Sequence, residues 1–337
     1  MPRAPRIEFA GAIYHVMNRG NQLAAIARDD MDRQRWVETL GEACRGAGWR
    51  MHSFVLMGNH DHLLIETPRP TLVKGMQWLN ATYTKRYNVR HKTYGHLFQG
   101  RYKALLVDGE EAGYFLTVSD YIHLNPVRAR RIEERREFFR SPWSSAGWLA
   151  GVRKGMPLWM VRERVDGELG LRGSPMKRCR GFREHLQRRM DEVLARKGDM
   201  GTDGYAKIRR GWCLGGEGFV GRMKERLEEL MQEGVPAERW NSEAVEEAEE
   251  VRAERLLAQG LKAFKVKDVR QLAAMERSLL ARWVRQHSRV TVGWLAQVMG
   301  LKTRGGMASS IHLAGRRLQT DRFLASRWRR LEQYDID

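Results

Sequence analysis

Between residues 8 and 128 the hydrophobic positions fall into two rhythms: short strand-length runs, and longer stretches spaced by three and four. Gly11-Ala12-Ile13-Tyr14-His15-Val16-Met17 reads as a strand that ends at the turn-forming Asn18-Arg19-Gly20-Asn21. A helix is expected from about Asp30 to Ala47, then an apolar strand from Met51 to Met57. Gly58-Asn59 supplies a hairpin turn, and the returning strand carries His60-Asp61-His62-Leu63-Leu64-Ile65. Leu72, Met76, Leu79, Tyr83 and Tyr87 keep the spacing of a buried helical stripe, with Thr71 as its N-cap and an end near Arg90. After the Gly95 break, Leu97 to Val107 predicts a strand and Glu110 to Asn125 a helix. The order β-α-β-β-α-β-α predicts an α+β fold, an antiparallel sheet with helices on one face.

Ser141-Pro142-Trp143-Ser144-Ser145 closes this first unit. Further on, helices are expected over Phe182 to Lys197 and Phe219 to Glu233, separated by Arg209-Arg210-Gly211-Trp212-Cys213-Leu214-Gly215-Gly216-Glu217, whose glycines do not match a phosphate-binding loop. Glu243 to Glu254 is an acidic, helix-prone run that reads as a solvated face or a linker helix. Leu279 to Gln286, Thr291 to Met299 and Met307 to Leu318 predict three short helices, the last after the turn Gly300 to Gly306. That pattern is similar to a helix-turn-helix, with Ser309, Ser310, His312, Arg316 and Arg317 on or near its recognition helix. Three domains are therefore expected: 1–148, a basic helical extension over 149–245, and a mostly helical DNA-binding domain over 246–337.

Charge narrows the partner. Sixty Lys and Arg against 41 Asp and Glu give a net charge of +19 over 337 residues, which calls for a polyanion, nucleic acid ahead of an acidic membrane surface. No run approaches the roughly 18 apolar residues of a spanning helix, and Met1-Pro2-Arg3-Ala4-Pro5-Arg6 leads into no apolar signal region, so a cytoplasmic protein is expected. Cys44, Cys179 and Cys213 are far apart and form no metal or redox pair. From Thr67 to Val107 there is no Asp or Glu, while Lys85, Arg86, Arg90, Lys92, Arg101 and Lys103 are interleaved with Tyr83, Tyr87, Tyr94, Phe98 and Tyr102. Cations for phosphates and rings for unpaired bases are what single-stranded nucleic acid binding requires, although the same rings at helical spacing also serve as core.

Two segments carry candidate chemistry. His60 and His62 sit at i and i+2 on a strand, where alternate side chains share a face and two imidazoles can grip a divalent ion. Tyr121 and Asn125 are four apart on the expected helix, which stacks a phenol and a carboxamide on one face before Pro126. Two imidazoles, an amide oxygen and a phenol suit phosphodiester chemistry, the metal polarising the phosphate and the tyrosine attacking.

With Tyr14-His15-Val16-Met17-Asn18-Arg19-Gly20-Asn21, Gly58-Asn59-His60-Asp61-His62-Leu63-Leu64-Ile65-Glu66, Gly95-His96-Leu97-Phe98-Gln99-Gly100-Arg101-Tyr102, Tyr121-Ile122-His123-Leu124-Asn125-Pro126-Val127-Arg128 and Pro142-Trp143-Ser144-Ser145 in this order, the first 145 or so residues resemble the HUH single-tyrosine transposases of the insertion-sequence type. Within these, the chain is most similar to the REP-associated tyrosine transposases. The resemblance implies a ferredoxin-like or RRM-like palm, with Mg²⁺ or Mn²⁺ on His60, His62 and Asn125 and with Tyr121 as nucleophile. It implies cleavage and rejoining of single-stranded DNA, at hairpin repeats, through a 5′-phosphotyrosine, and it admits a homodimer. Arg19, Lys85, Arg86, Arg90, Lys92, Arg101, Lys103, Arg316 and Arg317 are the expected DNA contacts. One departure is Asp61, where the family usually carries a bulky apolar residue between the histidines; on a strand it points to the face opposite the ligands. His15, His52, His96 and His123 read as structural or substrate-contacting. The main rival is a non-catalytic DNA-binding regulator derived from such a transposase; a metal-dependent hydrolase of small substrates would not explain the charge.

Overall fold

The computed structural model describes residues 7–195, 208, 211–232, 242–301 and 303–333. The Met1 to Arg6 start, Arg209-Arg210 and Lys302 lie outside the described residues. The chain divides into two compact units, Arg6–Gly221 and Arg222–Asp337. Expected boundaries after 148 and 245 do not coincide with this division, because a helix over Pro175–Ala195 buries Phe182, Leu186 and Met190 in the core of the first unit.

In the first unit, β1 (Ala12–Arg19), β2 (Arg50–Leu56), β3 (His60–Thr67) and β4 (Lys103–Val107) form an antiparallel sheet in the order β2-β3-β1-β4. The β2–β3 hairpin turns at the expected Gly58-Asn59, with Leu56 opposite Asp61. The sheet is not wholly antiparallel: a fifth, two-residue strand, β5 (Cys213–Leu214), adds parallel to the outer side of β4. Strand β1 continues through Asn18 and Arg19, and β4 starts only at Lys103, Phe98 making one isolated bridge to Gly20.

Helices cover both faces of the sheet, not one. Strands β1 and β3 are buried on both sides, so each face needs an apolar cover. Helices α1 (Asp30–Ala47) and α2 (Leu72–His91) pack together over Val16, Phe54, Leu63 and Ile65. Asp29 caps α1 by accepting the Asp32 N–H, and Gly48 at φ 71° ends it. Thr71 precedes α2 but does not cap it; its hydroxyl donates to the Ala47 carbonyl, and Glu8 accepts the Val73 N–H instead. The opposite face is covered by α3 (Tyr114–His123), followed by the short α4 (Asn125–Arg128), α5 (Arg135–Arg140), α6 (Ala146–Leu149) and α7 (Glu163–Glu168), and by α8 (Pro175–Ala195). Ile13, Leu64, Leu105, Phe115, Val118 and Ile122 form the centre of that layer, each contributing about 1.5–3 kcal/mol on burial.

The second unit is helical. Helix α9 (Glu217–Gln232) leads into it, followed by α10 (Ser242–Ala263), α11 (Ala274–His287), α12 (Val292–Val298), α13 (Arg304–Arg317) and α14 (Arg322–Glu332). Leu279, Leu280, Trp283, Leu295, Met299, Met307 and Ile311 form its core. The acidic α10 is not merely a solvated linker, because Ala253, Leu256 and Leu257 are buried and Glu249 accepts the Arg289 N–H. Thr303 caps α13 through the Gly306 N–H, so Arg304-Gly305-Gly306, expected in the turn, open the helix. No helix among the described residues is long and apolar enough to cross a membrane.

Candidate active site

Strand alternation sets the site. Opposite Arg19 and Met17 of β1, His60 and His62 project from β3 toward the α3 face, while Asp61 projects toward α1 and α2. The α3 helix ends at His123, and the Leu124 N–H still bonds the Asp120 carbonyl, so Asn125 begins α4 almost in line with it. The helix expected to run unbroken from Glu110 to Asn125 is thus two short helices, yet Tyr121 and Asn125 still meet the histidines. Asn125 Nδ2 donates to His62 Nε2 at 3.1 Å, and Asn125 Oδ1 lies 3.4 Å from His60 Nε2. The Tyr121 ring packs edge-on against His62 and His15, with centroids 5.7 Å apart in each case, and is 6% exposed.

The other ring nitrogens fix which atoms point at Asn125. Asn59 donates through Nδ2 to the Leu23 carbonyl, which turns its Oδ1 toward His60 Nδ1 at 2.8 Å. Burial lowers the His60 pKa, so the ring is neutral at pH 7 and carries one proton, with an amide oxygen facing each of its nitrogens. His62 falls well below the ordinary value, through burial and then the neighbouring His15 and His60; its Nδ1 donates to His15 Nε2 at 2.9 Å. Both Nε2 atoms therefore face the Asn125 carboxamide. Two imidazole nitrogens and one amide oxygen are a donor set that can hold a divalent ion. Among the described residues no group of three His, Cys, Asp or Glu side chains is arranged to hold a metal, so the third donor here would be the amide.

Asp61 is fully buried, accepting Asn18 Nδ2 at 3.0 and 3.2 Å, and Asn18 in turn accepts from Asn80 of α2. Burial pushes its carboxyl up to about 7. It supports the strand from the face opposite His60 and His62. Residues that sequence reasoning left outside the ligand set also build the site. His15, buried and lowered to about 3 by burial, orients His62, and Asn59 orients His60. The Arg128 guanidinium lies 4.7 Å from the centre of the Tyr121 ring.

The profile of the family described as "Transposase IS200 like" matches residues 9–125. This segment is similar to the IS200-like transposases. The transposase segment thus runs from before β1 to Asn125, and Arg128 and Trp143 fall after it. A solved structure described as a REP-associated tyrosine transposase bound to a REP hairpin is 14% identical, with a TM-score of 0.38, over 49% of this chain and 93% of that one. Among curated proteins none matches the chain.

Around the transposase site the expected DNA contacts separate into groups. Arg19 is exposed opposite His60, and the half-buried Lys103 lies across β1 from His62, next to His15. Lys85, Arg86 and Arg90 are on α2, behind the sheet, and are not brought to the histidines. Arg86 is committed to a two-pronged pair with Glu42 at 2.9 and 3.1 Å, and Arg90 pairs with Asp29 and Asp32, so both are structural. Lys85, Lys92 and Arg101 are exposed, and Arg316 and Arg317 are exposed at the end of α13. Of the aromatic residues, Tyr83, Tyr87 and Phe98 are core, whereas Tyr94 is 98% exposed.

Proposed function

We propose that the protein is a metal-dependent, single-stranded DNA transposase that cleaves and rejoins strands through a 5′-phosphotyrosine on Tyr121. The observation that carries this reading is the convergence of His60 Nε2, His62 Nε2 and the Asn125 carboxamide beside the Tyr121 ring. His60, His62 and Asn125 would hold a divalent ion, which would supply Lewis-acid polarisation of the scissile phosphate. Tyr121 Oη attacks phosphorus, the P–O3′ bond breaks, and one phosphodiester replaces another; the phenolic proton lost is balanced by the proton gained on the 3′-hydroxyl. A phenol, with a pKa of about 10, is a better leaving group than an alkyl alcohol, so the linkage retains the energy for rejoining. Arg128 and Arg19 supply fixed positive charge for the phosphate beside the phenol and His60 respectively.

Hairpin repeats as the target, and a homodimer as the assembly, rest on the sequence resemblance. In the second unit, α12 and α13 with their Thr291 and Thr303 caps support a helix-turn-helix that reads duplex DNA through the exposed Arg304, Ser309, His312 and Arg316.

The test incubates the protein and Tyr121→Phe with labelled single-stranded DNA from the repeats flanking the gene, with Mg²⁺ or Mn²⁺, on denaturing gels. An adduct that needs both tyrosine and metal is expected. Tight binding with no adduct under any condition would favour a non-catalytic DNA-binding regulator.

A further inference from the structure

The Pro142-Trp143-Ser144-Ser145 segment has no part in the chemistry above, yet it is tied firmly to the catalytic hairpin. The Trp143 carbonyl accepts the Leu56 N–H at 2.8 Å, Ser144 bridges Val55, and the Ser145 N–H donates to the Phe54 carbonyl at 3.1 Å. Ser145 Oγ also accepts the Phe54 N–H at 2.9 Å and pairs with His123 Nε2 at 2.8 Å. Three residues, Trp143 to Ser145, thus extend the outer edge of β2 and lock to the helix that bears Tyr121. Holding a segment this tightly fixes whatever Trp143 presents.

Trp143 lines a cleft of about 900 Å³ that has His60 in its lining as well. Arg33, Arg131 and Arg140 line it too, with Glu137 as the one carboxylate, so the cleft is net positive and continuous with the metal-facing end of β3. The Arg33 guanidinium lies 5.8 Å from the Trp143 ring centre, and the indole is only half-buried. An indole held rigidly among cations, beside a phosphate site, matches the recognition chemistry of an unpaired nucleotide: ring for base, guanidinium for phosphate.

The direction of the strand follows from the displacement. In an in-line attack the leaving 3′-oxygen departs opposite the attacking phenol. Tyr121 packs on His62 and is absent from the cleft lining, whereas His60 is part of it. We infer that this cleft takes the DNA segment 5′ of the cleaved bond, the one that ends in the new 3′-hydroxyl, with one of its bases stacked on Trp143 and its phosphates on Arg131 and Arg140. This rests on the phosphotyrosine reading for its polarity; the stacking itself does not. Stacking on a fixed platform would keep the freed 3′-end beside the phosphotyrosine for the rejoining step.

The test uses the full chain and single-stranded DNA from the flanking repeats, carrying photoreactive 5-iodouracil at one position at a time, with the crosslinked peptide identified by mass spectrometry. A crosslink to Trp143 is expected from a position 5′ of the bond whose cleavage the adduct assay maps, and from none 3′ of it. An abasic nucleotide at that position should weaken binding about 10-fold to 100-fold, the range of one base-aromatic stack. Trp143→Ala should weaken binding similarly without adding to the abasic effect, and Trp143→Phe should restore most of it. If Trp143→Ala fails to fold, the abasic series and the crosslink on the unaltered chain decide alone. Adduct formation with crosslinks only elsewhere, or from the 3′ side, overturns the inference and leaves the phosphotyrosine reading intact. A Trp143 crosslink with no adduct overturns that reading and the strand polarity, and keeps the stacking site.

Discussion

Asp120, the residue before Tyr121, accepts His185 Nε2 on both carboxylate oxygens at 2.9 Å, and Arg189 Nε adds a third bond at 3.1 Å. Both partners come from α8, after the transposase segment, and Asp120 is buried. Replacing Asp120 by Ala takes the acceptor from His185, while Arg189 keeps its pair with Glu192, and the expected loss is roughly 1–3 kcal/mol of unfolding free energy in a urea titration. The Tyr121 adduct should form more slowly at the same DNA affinity. An unchanged unfolding midpoint would mean that water screens the cluster and that α8 is held by its apolar side alone.

Metal dependence separates from DNA binding. His60→Ala removes a ligand whose orientation Asn59 sets, so adduct formation should disappear, as it should with EDTA, while affinity for the flanking single strand changes by no more than about twofold, because phosphate contacts and metal ligation lie on different side chains. Mn²⁺ titration followed by electron paramagnetic resonance should show weaker binding in the variant. Full adduct yield from His60→Ala would remove the histidines from the reaction.

Asp32 predicts an acid-sensitive link between α1 and α2. Its burial pushes the carboxyl up, but the Arg28 N–H, the Arg90 guanidinium and His91 outweigh that and hold it below the ordinary range. A carboxylate depressed in the native state stabilises above the unfolded-chain value of about 3.9, and that stabilisation is lost as pH falls through the native value. Asp32→Asn should therefore cost about 1.5–3 kcal/mol at pH 7, and the difference should shrink as pH falls below about 4 and through the depressed native value. A difference that stays constant as pH falls would mean that packing, not charge, is at stake.

Gly75 of α2 lies against Trp49, where an added Cβ would sit 2.1 Å from Cζ2. Trp49 is itself buried, so the ring has little room to withdraw. Gly75→Ala should lower stability by about 1–3 kcal/mol despite the gain in helix propensity. Thermal unfolding checks the sign; a stabilised variant would show that the indole can move.

Arg316→Ala combined with Arg317→Ala tests the second unit. If both reach phosphates, the slope of log affinity against log salt for repeat duplex should fall by about 2, roughly one for each phosphate no longer neutralised, with adduct yield at low salt unchanged. An identical salt dependence would reduce α13 to a packing element.

Much of this was legible because strand and helix periods are strong signals where one face is buried. His60 and His62 alternate with Asp61, and Tyr121 precedes Asn125 by four, so each pair could be placed on one face from spacing, whereas joining the two pairs rested on the family resemblance. The Asp30 to Ala47 helix and the Gly58-Asn59 hairpin were equally plain. Side-chain partners chosen by tertiary contact were not. Arg86 and Arg90 sit in an acid-free stretch that looks like a DNA-binding face, yet their carboxylates come from Glu42, Asp29 and Asp32 on α1. His15 could have been found by extending the alternation of β1, since it lies on the side of Met17, opposite His62. Nothing local marks His185 as the partner of Asp120, because 65 residues separate them.

The parallel strand β5 has a consequence for where the catalytic body ends. Its Leu106 and Asp108 partners donate their N–H groups to Trp212 and Leu214, well past the last residue of the transposase segment. A fragment cut after residue 148 would keep His60, His62, Tyr121 and Asn125, yet it would bare the outer margin of β4, where the Leu106 and Asp108 N–H groups lose their acceptors beside the apolar Leu105 and Val107. Exposed strand margins of this kind pair with whatever strand they meet. The smallest piece that keeps this sheet whole therefore extends to about residue 221.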